Sequence, residues 1–272
     1  MIATQHCVSE PMPDDTPRFD DGAAYELLMG RWSRLVGERF IDWVGVPHGS
    51  RWLDIGCGSG AFTELVVERC RPSAVQAFDP SAQQLVYARN RLPPGAPVAW
   101  AEGDAMRLPV VDGAADAAVM ALVLFFVPRP DVGVAEMCRA VRSGGVVAAY
   151  HWDVLGGGFP LADIAAEMLE LGIAPQLAPS TAASTLEASS SLWQGAGLQH
   201  VRTCQITVRR QFNSFEEYWN SAAASNSLRP VFEGGRTDLR EVLKANVRRR
   251  LQAENGSLTV RARANAVSGL KQ

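Results

Sequence analysis

The residues with chemical potential are acids placed where strands end. Asp54 opens the run Asp54-Ile55-Gly56-Cys57-Gly58-Ser59-Gly60, Asp79 precedes Pro80 and Ser81, and Asp104 sits in Gly103-Asp104-Ala105. A glycine-rich turn between a strand and a helix lets a ligand approach the backbone, because glycine has no Cβ and tolerates positive φ. The helix behind it presents free N–H groups. Two readings fit this turn. Gly56, Gly58 and Ala61 satisfy a loose dinucleotide pattern, with Asp79 about 20 residues on where a ribose-binding acid would stand, which is the NAD-dependent reading. Against it, an acid at position 54 would repel a pyrophosphate and would suit a ligand carrying an ammonium group. A carboxylate at Asp104 can accept from an adenine amino group while a neighbouring N–H donates to the ring.

The elements that must position these groups alternate. Short strands are expected at 51–55, 74–78, 97–101, 115–122 and 146–150, separated by helices at 61–71, 81–91 and 130–141, with Ser81 as an N-cap. This order implies right-handed crossovers and a parallel sheet. A helical preface covers 19–44. Beyond His151 come helices at 161–171, 185–194, 215–224 and 238–254 and strands at 199–212 and 257–268, the last antiparallel to its neighbours. The expected fold class is α/β: a doubly wound, mostly parallel, Rossmann-like sheet of seven strands. Residues 1–18 read as a disordered lead-in and 19–272 as one domain, with helical insertions near 159–198 and 213–255 forming a lid.

Taken together, LDIGCGSG (53–60), AFDPS (77–81), EGDAMRLP (102–109), DAAVMALVLFFV (116–127) and RSGGVV (142–147) resemble the successive motifs of class I S-adenosylmethionine-dependent methyltransferases. The small-molecule branch with the ubiquinone/menaquinone C-methyltransferases is the nearest likeness. The resemblance spans roughly 25–152 and speaks to cofactor more than substrate. It implies that Asp54, Gly56, Gly58 and Gly60 surround the methionine part. Asp79 takes the ribose hydroxyls, with Pro80, Ser81 and Gln84 at the same edge. Gly103, Asp104, Ala105 and Met106 hold adenine. Ala121 and Leu122 line the cofactor, and Tyr25 and Trp32 close over it. Where some relatives carry histidines, this chain has Phe125 and Phe126, which removes a base and suggests an apolar substrate wall.

Other candidates are weighed against plain structure. His151, at the end of the fifth strand, is the candidate catalytic base, with Asp153 beside it; the alternative is a histidine held by local hydrogen bonds. Arg240, Lys244 and Arg248 form a stripe that reads as a solvated face rather than an RNA site. Trp193, Tyr218 and Trp219 read equally as pocket or core.

Bulk properties narrow the classes. The 272 residues are 47% hydrophobic and 20% charged, with a net charge of −3. That balance is globular and gives no basic excess for nucleic acid. No apolar run reaches the roughly 18 residues of a membrane span. Five cysteines without C-x-x-C spacing argue against zinc and disulfide frameworks. No metal is expected. The expected partner is a small-molecule acceptor, in the cytoplasm, with S-adenosylhomocysteine as product and a homodimer left open. A binding-only protein using the same cofactor is the other alternative.

Overall fold

The computed structural model describes residues 29–223, 237–253 and 256–272. Tyr25 and the expected lead-in 1–18 lie outside the described residues.

Helix α1 (Arg31–Val44) buries one stripe, Trp32, Val36, Gly37, Phe40, Ile41 and Val44, and stops at Gly45, whose φ of 68° ends the helix. The alternation then follows: β1 (Arg51–Ile55), α2 (Ala61–Cys70), β2 (Ala74–Asp79), α3 (Ala82–Arg91), β3 (Val98–Glu102), β4 (Ala115–Ala121), α4 (Pro130–Ala140) and β5 (Val141–Trp152). Ser81 caps α3 by accepting from Gln84 N. After β5 come α5 (Ala162–Glu170), α6 (Leu186–Gly195), β6 (Gln199–Phe212), α7 (Phe215–Ala223), α8 (Thr237–Arg250) and β7 (Leu258–Leu270).

One seven-stranded sheet runs in the order β3-β2-β1-β4-β5-β7-β6. The first five strands pair in parallel, and β7 enters antiparallel between β5 and β6. The expected doubly wound sheet and its reversed last strand are both present. Because the order reverses at β1 and β4, the crevice lies at their carboxyl ends.

The strands carry apolar side chains on both faces, as burial under two helical layers requires. On one face Trp52, Val119, Ala148 and Tyr150 meet α1 and α2, while Trp152, Phe212 and Val260 meet the aromatic residues of α7. On the other, Leu53, Ile55, Met120 and Ala149 meet α4 and α6. Helix α1 runs opposite to β6: Arg202 Nη2 donates to Trp43 O, Arg39 donates to Thr207 O, and Trp32 lies 6.4 Å from Phe212. Its first turn therefore stands at the crevice end of the sheet.

Two boundaries differ from the sequence reading. Strand β5 begins at Val141, directly after α4, because Val141 pairs with Ala115 while Val146 pairs with Ala117, so 142–145 bulge out. It also continues past Tyr150: His151 pairs with Asn265 and Trp152 with Ala264. His151 is thus inside a paired strand.

Candidate active site

Strand β1 delivers Asp54 to the sheet's carboxyl edge at 1% exposure. Thr63 Oγ1, from the first turn of α2, donates to Asp54 Oδ2 at 2.5 Å, and Oδ1 has no hydrogen-bond partner. Burial pushes the carboxyl up to about 7; the Thr63 bond lowers it and nearby Asp79 raises it. A buried carboxylate oxygen without a donor is costly unless a ligand supplies one.

The glycine turn is fixed before any ligand arrives. Phe78 O accepts from both Gly56 N (2.7 Å) and Cys57 N (2.9 Å), and Gly60 N donates to Cys57 O (2.9 Å). Gly58 N donates to Asp79 Oδ2 (2.8 Å) and Ser81 N to Asp79 Oδ1 (2.9 Å). The glycines therefore serve by conformation and clearance rather than by spare N–H groups. Gly56 has φ +74°, and a Cβ there would stand 2.6 Å from the Val123 methyls. Gly58 has φ +52° with nothing within 4 Å of a Cβ position, so its side of the turn is open.

Asp79 closes β2 at 8% exposure, and burial raises its carboxyl above the ordinary range against the two backbone bonds. Each oxygen keeps acceptor capacity for a hydroxyl. Pro80 is exposed, Ser81 half-buried and Gln84 buried beside it. Beyond β3, Gly103 N donates to Asp79 O at 3.2 Å, and a Cβ on Gly103 would press on Phe78 at 3.1 Å. Asp104 is exposed and folds its own loop, accepting from Met106 N at 2.8 Å. Ala105 and Met106 are half-buried. Leu122 holds a φ of +63°, unusual for a β-carbon residue, with its N–H on Tyr150 O at 2.8 Å. Ala121 is half-buried beside it. Asp54, Asp79 and the β4 exit thus stand at the carboxyl ends of neighbouring strands, with Asp104 just past the end of β3.

Trp32, in the first turn of α1, is 1% exposed and packs with Phe212. His151 is also enclosed, at 0% exposure. Its Nε2 is 2.9 Å from Ser189 Oγ, and Ser189 Oγ lies within reach of Thr185 O and Ala183 O. The other ring nitrogen, Nδ1, is buried and has no hydrogen-bond partner. Burial lowers the imidazole to about 4, with Asp153 opposing. Asp153 pairs with Arg263 at 2.6 Å and accepts from Gly156 N. Both are arranged as local structure.

The remaining candidates resolve in the same direction. Trp193 Nε1 donates to Val147 O at 2.8 Å, which lays α6 flat on the sheet, and Tyr218 and Trp219 are 1% exposed. Lys244 and Arg248 of α8 both pair with Glu216, and Arg248 lies 4.7 Å over Phe215. Past β4, Phe125 is buried and Phe126 half-buried. Ser180 holds this stretch, its N–H on Phe125 O at 2.9 Å and its hydroxyl on Val127 O at 2.7 Å. Sequence reasoning missed Thr63, Val123 and Trp100, whose ring would meet a Cβ on Gly60 at 2.9 Å. Val123 lies within the stretch 116–127 but is given no role there, and Thr63 and Trp100 belong to no motif; only the three-dimensional packing reveals what they do. Among the described residues no three His, Cys, Asp or Glu side chains group as metal ligands, and no helix is long and apolar enough to cross a membrane.

Residues 53–149 match the family described as a methyltransferase domain. The chain is 34% identical over 155 residues to demethylmenaquinone methyltransferase of Renibacterium salmoninarum, covering 55% of this chain and 61% of that one. It is 30% identical over 130 residues to malonyl-[acyl-carrier protein] O-methyltransferase of Methylococcus capsulatus, covering 48% and 46%. The matches thus span about half the length of these relatives. Among solved structures, phosphoethanolamine N-methyltransferase 2 of Haemonchus contortus in complex with S-adenosyl-L-methionine superposes with a TM-score of 0.56 at 17% identity, over 95% of this chain and 58% of that one; at that identity the likeness speaks for the fold. The matched residues 53–149 run from β1 to β5, the parallel part of the sheet.

Proposed function

We propose that this protein binds S-adenosylmethionine in the crevice and transfers its methyl group to O, N or C of a small-molecule acceptor in the cytoplasm. The observation that carries the reading is the buried, unpartnered Asp54 Oδ1 at the carboxyl end of β1. An ammonium there supplies the missing donor. Asp79, with an acceptor site left on each oxygen, suits a vicinal diol, and the loop of Gly103, Asp104, Ala105 and Met106 suits adenine. Ala121 and Leu122 border the methyl-bearing end.

The bound cofactor supplies a methyl already activated on a sulfonium. What the chain contributes is alignment: Asp54 and Asp79 hold two points of the ligand while Val123 and Leu122 set the floor between them. Holding donor and acceptor in line can supply most of the acceleration. His151, enclosed and bonded to Ser189, supports a structural role, and the proposal assigns it no proton transfer. Phe125 and Phe126, just past β4, favour an apolar acceptor.

Titration calorimetry with S-adenosylhomocysteine tests the reading directly. Saturable binding that is lost in Asp54→Asn is the expected result. Tight NAD binding with no response to S-adenosylhomocysteine would replace it with the nicotinamide reading.

A further inference from the structure

The peptide planes of the glycine turn are held by side chains as well as by backbone. Gly60 N donates to Cys57 O, which fixes one end of the Ser59–Gly60 plane. The other end, Ser59 O, accepts from Arg91 Nε at 3.0 Å. Arg91 is the last residue of α3, and its Nη1 also binds Glu64 Oε2 in the first turn of α2 at 2.9 Å. The same helix reaches the turn at its other end, where Asp79 ties Gly58 N to Ser81 N, and in its middle, where Ala88 Cβ would lie 3.1 Å from a Cβ on Gly60. Helix α3 is thus fastened to the turn at both ends and packed on it between them.

We propose that Arg91 is a positioning residue for the cofactor, resting on the reading above: by pinning Ser59 O it keeps Gly58 and Gly60 in the left-handed conformations that hold the crevice open. Gly58 at φ +52° and Gly60 at φ +84° are not enforced by their own side chains, and glycine loses more conformational freedom on ordering than any other residue. A charge-assisted bond to the carbonyl between them limits that freedom before the ligand arrives, which is preorganisation. Arg91 and Glu64 are only about one-fifth exposed, so the ion pair is partly shielded from screening.

Two variants separate positioning from mere stability. Arg91→Met loses both the bond to Ser59 and the ion pair, whereas Glu64→Gln loses the ion pair and leaves Arg91 on Ser59. Both should lower the melting temperature comparably. S-adenosylhomocysteine should bind Arg91→Met about tenfold more weakly and Glu64→Gln within about twofold of the parent. Equal affinity changes in the two variants, or an unchanged affinity in Arg91→Met, would overturn the proposal. If Arg91→Met does not fold, Arg91→Lys takes its place: one ammonium cannot reproduce the Nε and Nη1 bonds together, so the affinity falls in the same direction by a smaller factor, and an unchanged value overturns the proposal. Absence of binding in the parent protein would instead remove the cofactor reading itself.

Discussion

The two halves of the sheet handle buried polarity differently. Around β1 and β2, Asp54 keeps a carboxylate oxygen unpartnered, and Asp79 holds the turn at Gly58 while retaining acceptor capacity. Around β5, β7 and β6, polar side chains bind one another or the backbone: His151 Nε2 meets Ser189, Asp153 pairs with Arg263, Asn265 Nδ2 donates to Ser184 O and Gln205 Nε2 to Asn265 Oδ1, while His151 Nδ1 has no partner. Both regions lie at the crevice end of the sheet. Position there is therefore not enough to mark a ligand contact; what distinguishes the first half is that its unpartnered group is a carboxylate oxygen.

The sharpest way to break this contrast is Asp54→Asn. Affinity for S-adenosylhomocysteine should fall about 100-fold, the scale of a lost buried charge-assisted contact, while the ligand-free protein becomes more stable at pH 8. The sign follows from the raised carboxyl: folded Asp54 holds its proton to about 7 and the unfolded one to 3.8, so ionising it opposes folding progressively between those values. An Asn variant less stable than the parent at pH 8, by chemical denaturation, would contradict the reading of Asp54.

The same group sets a pH dependence. Affinity for S-adenosylhomocysteine should rise about tenfold per unit as pH climbs towards 7, then level off while the ligand's α-amino group keeps its proton. Calorimetry across pH 5.5–9 reads this directly; a flat profile would detach the ammonium from Asp54.

In the other half the expected effects are on stability alone. Ser189→Ala leaves the buried His151 Nε2 without its hydrogen-bond partner and should cost about 1–3 kcal/mol with ligand affinity unchanged. A large affinity loss there would place His151 in the binding machinery after all. His151 also shapes the acid limb. Unfolded, it gains a proton below 6.5, and folded only near 4, so its contribution to stability is lost as pH falls between those values. The smallest effect is expected at Glu216→Gln on the α7–α8 surface, within about 1 kcal/mol, because those pairs are solvent-screened.

The half around the glycine turn was readable in the sequence because its determinants are local. Strand, turn and acid follow one another in the chain, and glycines at 56, 58 and 60 occupy backbone conformations that favour glycine. The strand and helix pattern held through β7, including its reversal. The second half resisted because its determinants are long-range. Trp193 reads equally as pocket or core until Val147 O is found beneath its ring nitrogen, and the hydroxyl that meets His151 comes from Ser189, 38 residues away. Phe212, the partner of Trp32, is likewise distant in sequence. Lys244 and Arg248 of the α8 stripe are paired by Glu216 from another helix, which no periodicity within α8 reveals.

The place of β7 has a consequence for how the molecule is made. Strand β6 leaves the ribosome before β7, yet among the described residues the strand it pairs with is β7, and β5 also waits for β7 to cover its free edge. The parallel half can assemble while synthesis continues, but two strand edges stay open until residues 258–270 emerge. Such edges invite pairing with other chains. The exposure of nascent chains to aggregation should therefore be greatest in that interval, and it ends when a single strand slots between two that were waiting for it.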